Sequence, residues 1–140
     1  MAVLGGVACS PRRRRIAGQL PNIVVIYPDQ LRSMALSLYG QSNIVTPHID
    51  RLLNSGTHFP LATTANPVCT PARAATLFSR IPSTIGVEVN GHRPISGFPT
   101  LANVLQDAGY HCGYIGKWHL DGNTLPGFVA PDMRYGFQTW

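Results

Sequence analysis

The feature that most limits the fold is a short, unbroken run of β-branched residues at positions 23–26, which is followed by Pro28 and Asp29. An apolar run of this length, without polar alternation, is typical of a strand that is buried on both faces. Residues 110–115 have a similar character and indicate a second strand. Helix signals lie between the two runs, so strands and helices alternate along the chain.

Three segments are predicted to be helical. Residues 46–56 begin with a Thr-Pro pair and end at glycine, which are common start and stop signals. A second helix is predicted to begin immediately after Cys69, and a third over residues 100–109, which threonine caps and glycine ends. Residues 58–68 are expected to form a weak strand and then a loop. This order predicts an α/β layered domain with a largely parallel central sheet flanked by helices.

Composition indicates a folded domain and argues against nucleic-acid binding. The chain is 44% hydrophobic and 12% charged, which is enough apolar material for a core. Its formal charge of +5 comes largely from the consecutive arginines at positions 12–15, and such a run is typical of a solvated tail. We therefore predict that residues 1–20 are a disordered basic tail or precede the true start codon, and that the domain occupies residues 21–140.

The cysteines give no sign of a disulfide framework or a zinc site. Cys9, Cys69 and Cys112 are an odd number and have no C-x-x-C spacing, so a reducing compartment is the simpler interpretation. The apolar residues 1–9 are too few to span a bilayer and lack the pattern of a signal peptide. A cytoplasmic location is therefore favoured over a periplasmic one, and no membrane partner is expected.

Polar residues follow the predicted strands at the sheet edge where ligands of α/β proteins bind. Asp29 and Gln30 follow the first strand, and Lys117 and His119 follow the second. Cys69 stands at the mouth of a helix, where unpaired amides and the helix dipole favour negative charge. Together they predict an anion-binding cleft for sulfate or phosphate with a hard cation. Singly, each also fits an ordinary turn, surface or buried position.

Residues 69–73, Cys-Thr-Pro-Ala-Arg, match the C-x-P-x-R core of the sulfatase family, the signal for conversion of that cysteine to formylglycine. Residues 21–31 (PNIVVIYPDQL) resemble the family's opening strand with its metal-binding acidic pair. Residues 46–56 (TPHIDRLLNSG) and 110–120 (YHCGYIGKWHL) resemble two further family segments, as does the closing run at 131–140. The resemblance extends over residues 21–140 and implies the family's alkaline-phosphatase-like fold.

The resemblance implies a calcium or magnesium site to which Asp29, Gln30 and the modified Cys69 contribute. Most members have a second aspartate where this chain has Gln30, so one negative charge is lost. An amide oxygen still suits a hard cation, and we expect lower metal affinity. The family's Thr-Gly-Arg at the end of the nucleophile helix is replaced here by Phe78, Ser79 and Arg80.

The resemblance also implies the catalytic roles. Cys69, as formylglycine, would be the nucleophile, and Arg73 would hold the hydrated aldehyde. Lys117 and His119 would hydrogen-bond the sulfate oxygens and the nucleophile. The implied partners are a formylglycine-generating enzyme and a sulfate ester, with a sulfated carbohydrate as the expected kind of substrate.

Sulfatases are generally longer than this chain, so the domain is expected to be incomplete at its C-terminal side and inactive alone. The leading hypothesis is a sulfuric ester hydrolase of which these residues are one part. A phosphate or phosphonate ester hydrolase of the same superfamily is an alternative, because either tetrahedral anion fits such a site. A catalytically silent fragment is the third hypothesis.

Overall fold

The structure is a computed structural model that describes residues 7–11, 20–40, 43–122 and 129–140. The chain divides into two compact units. The first unit contains Ile26–Thr64, and the second contains Gly6–Val25 together with Ala65–Trp140. Each unit is described by itself below. No helix in the described part of the chain is long and apolar enough to cross a membrane.

A three-stranded sheet lies in the second unit. Its strands are β1 (Val7–Pro11), β2 (Ile23–Val25) and β3 (Tyr110–Tyr114), in the order β2-β1-β3. The β1 strand pairs with both neighbours in antiparallel fashion. The two strands predicted from sequence therefore run in the same direction but are not adjacent. The described ladders thus differ from the largely parallel sheet that the sequence predicted, because β1 lies between the two predicted strands.

The β1 strand also differs from the predicted disordered tail. Residues 7–11 belong to residues 1–20, for which no strand was expected, whereas the four arginines lie outside the described residues. A domain boundary at residue 21 stays a prediction.

The β2 strand is less buried than its composition predicted. Ile23 and Val25 pack against the core, whereas Val24 is 66% exposed. Because successive side chains of a strand point to opposite faces, only one face of β2 is covered by the described residues. The prediction of burial on both faces is wrong for this strand in the structure.

Two helices of the second unit confirm their sequence signals. The α2 helix (Cys69–Phe78) begins at the cysteine itself and buries Ala74 and Phe78 in the core. The α3 helix (Leu101–Asp107) starts with a complete capping box between Thr100 and Asn103. Such a box satisfies amides that have no partner inside the helix. The chain then turns at Gly109, whose φ of +92° favours glycine.

The core of the second unit joins these helices to β3 and to the segment that follows it. Cys112 of β3 is fully buried and lies among apolar residues of α2, α3 and the C-terminal segment. Trp118 and Phe137 belong to the same cluster, and their rings pack edge to face. The core thereby holds the chain just beyond β3, where two predicted site residues lie.

The first unit contains the remaining predicted helix, α1 (Pro47–Ser55), which follows Thr46 and precedes Gly56 as expected. Two 3₁₀ turns, at Ser33–Ala35 and Ser37–Tyr39, come before it. The Ser37 and Thr46 hydroxyls both donate to the Asp50 carboxylate in the first turn of α1. The weak strand predicted within residues 58–68 does not form, since this stretch consists of turns and irregular backbone.

Candidate functional site

Cys69 is the first residue of α2 and is partly exposed, whereas the residues that follow it in the first turn are buried. The chain enters the helix through an extended Val68, whose amide donates to the Asn66 side chain at 2.9 Å. The predicted nucleophile therefore lies at the mouth of a helix whose next turn is fixed in the core.

The first turn of α2 offers fewer free amides than the sequence analysis assumed. The Thr70 amide donates to Asn90 Oδ1 at 2.9 Å, and the Ala72 amide donates to the Val68 carbonyl at 2.9 Å. Pro71 has no N–H to offer. The helix dipole still favours an anion near Cys69, but direct amide contacts at this helix mouth are already largely used.

Arg73 connects the nucleophile helix to the segment after β3. It lies one turn after Cys69, on the same helix face, and is only 8% exposed. Its Nη1 donates to the Lys117 carbonyl oxygen at 2.6 Å and to the Tyr114 hydroxyl at 3.3 Å. The Tyr114 hydroxyl also donates to the Lys117 carbonyl. Two elements that the sequence placed at one sheet edge are thus joined through a buried guanidinium.

The segment after β3 is not a regular extended strand. Gly116 has a φ of +107° and His119 a φ of +59°. A non-glycine residue in this region is uncommon, and such strain is concentrated at functional sites. Lys117 is exposed, whereas Trp118 is buried against the rings of Tyr114 and Phe137.

Buried side-chain atoms without a hydrogen-bond partner lie on or beside predicted site residues in the described part of the chain. Among them are Thr70 Oγ1, Trp118 Nε1 and His119 Nδ1. An unsatisfied buried group costs about 1–3 kcal/mol, so such groups are rare in folded proteins. The His119 ring nitrogen is therefore available to a ligand or to a group that joins this site.

Asp29 and Gln30 lie in the first unit, in a turn that follows β2, and both are exposed. Gln30 has a φ of +57°, a second strained backbone position at a predicted site residue. A carboxylate and an amide oxygen are the kind of ligands that calcium and magnesium prefer. Within residues 20–40, 43–122 and 129–140, however, no group of three acidic, histidine or cysteine residues could hold a metal ion. The two residues therefore fit such a cation as part of a ligand set.

Tyr135 packs against Trp118 in the core of the second unit. Its ring stacks on Trp118 with centroids 5.8 Å apart, and its hydroxyl donates to the Leu120 carbonyl at 3.3 Å. Burial raises the pKa of this hydroxyl, although the positive charge of Arg93 opposes the shift. The hydroxyl therefore stays protonated at neutral pH and acts as a hydrogen-bond donor.

Sequence reasoning missed several residues that support the site. The sequence places Tyr114 only in the second predicted strand and gives no role to Asn90 and Arg93. Asn90 and Gly91 form an Asn-Gly pair, which is a recognisable turn signal. That signal predicts a turn but does not indicate which distant helix the asparagine contacts.

The structure brings together a partly exposed cysteine that opens a helix, a buried arginine one turn later and a Lys-Trp-His segment that is hydrogen-bonded to that arginine. The model of the Sulfatase family matches residues 21–140. The chain belongs to the sulfatase family, and this membership implies an α/β fold of the alkaline-phosphatase-like class.

Known relatives agree with this family. The chain is 39% identical over 120 residues to an ulvan-active sulfatase of Formosa agariphila, an alignment covering 86% of this chain and 24% of the relative. It is 35% identical to the N-acetylgalactosamine-6-sulfatase of Sus scrofa, covering 89% and 26% respectively. It is 34% identical to the steryl-sulfatase of Mus musculus, covering 94% and 23%. The chain thus spans about a quarter of the length of these relatives. No solved structure matches it.

Proposed function

We propose that the protein that carries this chain hydrolyses sulfate esters, with Cys69 oxidised to formylglycine as its nucleophile. The observation that carries the proposal is the contact of Arg73 Nη1 with the Lys117 carbonyl at 2.6 Å. It joins the helix that begins at Cys69 to the segment that bears Lys117 and His119. The proposed nucleophile and two proposed hydrogen-bond donors therefore belong to one region of the second unit.

The chemistry requires an aldehyde rather than a thiol. Addition of water to the aldehyde gives two hydroxyls on one carbon. One hydroxyl oxygen attacks sulfur and loses its proton, while the bond between sulfur and the ester oxygen breaks and the alcohol leaves with a proton. The second hydroxyl then loses its proton, the carbon–oxygen bond to the sulfate breaks, and sulfate departs. The aldehyde is thereby regenerated, so water never has to attack sulfur.

The proposed roles of the surrounding residues follow from their charge and position. Arg73, buried one turn from Cys69, holds the hydrated aldehyde and offsets negative charge beside it. Lys117 and His119 donate hydrogen bonds to the sulfate oxygens, which gain negative charge as sulfur is attacked. The unpartnered Nδ1 of His119 supports a polar role for this ring.

Asp29, Gln30 and the modified Cys69 are proposed to contribute oxygen ligands to a calcium or magnesium ion. A bound divalent cation polarises the sulfate group and neutralises charge. Asp29 supplies both charge and a hard oxygen, and Gln30 supplies only a carbonyl dipole.

A sulfated carbohydrate is the proposed substrate. Two of the relatives named above are an ulvan-active and an N-acetylgalactosamine-6-sulfatase, whereas a third is a steryl-sulfatase. A formylglycine-generating enzyme is the proposed partner, because Cys69 begins a Cys-x-Pro-x-Arg signal at the mouth of a helix.

The first test measures the modification. The chain is produced with a formylglycine-generating enzyme, and the peptides that contain Cys9, Cys69 and Cys112 are compared by mass spectrometry. We expect a loss of about 18 Da at Cys69, from replacement of the thiol by an aldehyde. The Cys112 peptide is the internal control, because Cys112 lacks the Cys-x-Pro-x-Arg spacing, whereas Cys9 has it. An unmodified Cys69 under these conditions contradicts the proposed nucleophile.

The second test measures the reaction. The protein expressed from its gene with its native flanking sequence is assayed on an aryl sulfate and on the corresponding aryl phosphate. We expect a higher kcat/KM on the sulfate, and Cys69→Ala should abolish the activity. A higher kcat/KM on the phosphate would instead support a phosphate ester hydrolase.

A further inference from the structure

A loop of residues 86–95, here called the Asn90 loop, connects the core to the first turn of the nucleophile helix. Val87 is fully buried at one end of the loop, and Pro94 is buried at the other. The Ile95 amide donates to the Ile85 carbonyl at 3.0 Å and closes the base of the loop. The Asn90 loop is therefore anchored at both ends in the same unit as Cys69.

The tip of the Asn90 loop is a tight turn that presents Asn90. The His92 amide donates to the Val89 carbonyl at 3.4 Å, and Gly91 has a φ of +86°. A positive φ at the third residue is typical of a type II turn and favours glycine there. This turn places Asn90 at its second position, where Oδ1 accepts the Thr70 amide at 2.9 Å.

The other side of the same loop contacts the segment that follows His119. Arg93 Nε donates to the Asp121 carbonyl at 2.9 Å. A Cβ at Gly122 would lie 2.7 Å from Arg93 Nε, so the glycine permits this close approach. The Asn90 loop thus contacts the residue next to the nucleophile and the residues just after the Lys-Trp-His segment.

We propose that Asn90 is a positioning residue for the nucleophile, which acts by fixing the first turn of α2 through the Thr70 amide. This inference rests on the proposed sulfatase function. Asn90 is itself exposed, whereas Thr70 is 1% exposed, so the loop supplies from the surface an acceptor for the amide of a buried residue.

The proposal predicts an effect on turnover rather than on modification. Because Asn90 lies outside the Cys-x-Pro-x-Arg signal, its replacement should leave the formylglycine content at position 69 unchanged. Misplacement of a reacting group by about 1 Å can cost about 10²-fold in rate. We therefore expect Asn90→Leu, which keeps the size of the side chain but removes the acceptor, to lower kcat by about this factor.

Asn90→Asp is the matched rescue variant, because it keeps an acceptor oxygen for the Thr70 amide but adds a negative charge. We expect kcat to stay near that of the wild type and KM for an anionic ester to rise several-fold through like-charge repulsion. Asn54→Leu, the same change at an exposed position in the first unit, should alter neither constant.

The experiment measures steady-state kcat and KM on an aryl sulfate, the formylglycine content and the thermal unfolding of each folded variant. A wild-type protein without sulfatase activity contradicts the proposed function itself. An active wild type with an unchanged kcat in Asn90→Leu overturns the positioning role, as does an equal loss of kcat in Asn90→Leu and Asn90→Asp. A fall in formylglycine content that accounts for the loss of activity also overturns it.

Discussion

Asp29 and Gln30 differ by one charge, and this difference gives the first prediction at the scale of single residues. Asp29→Ala should abolish calcium- or magnesium-dependent stabilisation, because it removes both the charge and a hard oxygen ligand. Gln30→Asp should tighten metal binding, since it adds a second carboxylate. The measurement is isothermal titration calorimetry with each metal, supported by the shift in unfolding temperature on metal addition.

Asp107→Ala is the control for these variants, because Asp107 is an exposed aspartate at the end of α3 and not a predicted ligand. It should leave the metal affinity unchanged. Equal and small effects of Asp29→Ala and Gln30→Ala would show that neither residue is a ligand.

The second prediction concerns Lys117 and His119 as donors to the charge that develops during attack on sulfur. Each replacement by alanine should lower kcat by about 10²-fold or more, because the lost interaction is strongest in the transition state. His48→Ala, at an exposed position on α1, should retain full activity. Near-native kcat in folded Lys117→Ala and His119→Ala would exclude an anion cleft at this position.

Lys117 also allows a direct binding measurement, because it is the only lysine in the sequence. Reductive methylation therefore modifies one side chain besides the N-terminal amine. Inorganic sulfate should slow methylation of Lys117 without slowing that of the N-terminus. Identical rates with and without sulfate would argue against contact between the ammonium and the anion.

At this scale the sequence identified residues but not their contacts. The spacing of Cys69 and Arg73 placed both at the start of a helix, and the structure confirms that position. The link from Asn90 to Thr70 spans 20 residues of sequence and depends on how a loop packs. A contact between such distant residues leaves no periodic pattern in the sequence, so it could not be predicted.

The α2 helix ends at Ser79, which gives the third prediction at the scale of one structural element. Ser79 is the C-cap and has a φ of +52°, where most side chains are strained and glycine is usual. The left-handed conformation costs a residue with a Cβ about 1–2 kcal/mol. Ser79→Gly should therefore raise the free energy of unfolding by about 1 kcal/mol, measured by urea denaturation.

Ser55→Gly is the matched control, because Ser55 ends α1 inside the regular helix and its hydroxyl donates to the Leu52 carbonyl at 3.2 Å. Ser55 has no backbone strain for glycine to relieve, and glycine loses more conformational entropy on folding than serine does. The free energy of unfolding should therefore fall by about 0.5–1 kcal/mol. A destabilising effect of Ser79→Gly would contradict the role given to backbone strain.

The elements differ in how well sequence predicted them, for a physical reason. Helices α1, α2 and α3 carry their signals locally, as Thr-Pro pairs, apolar spacing and the Thr100 capping box, and all were predicted. Strand pairing depends on contacts between distant segments. The antiparallel insertion of β1 between β2 and β3 leaves no such local signal, so the sequence predicted neither the β1 strand nor its pairing.

At the scale of the whole chain, large apolar side chains stay exposed in both units. Leu61 is 90% exposed and Phe59 71% exposed in the first unit, and Ile115 is 87% exposed in the second. Single exposed apolar residues are normal, but several of this size create apolar surfaces on which protein molecules associate.

These surfaces give the last prediction, that the 140-residue chain expressed alone self-associates as its concentration rises. The apolar side chains gain about 25 cal/mol per Å² when they leave water, and contact between copies removes them from it. Sedimentation velocity over a range of concentrations should show an increasing weight-average sedimentation coefficient. Substitution of Leu61→Lys together with Ile115→Lys should suppress this increase. Ser83→Lys with Ser96→Lys adds the same charge at exposed polar positions and should not. Equal suppression by both pairs would assign the effect to net charge, and a monomer at all concentrations would contradict the prediction.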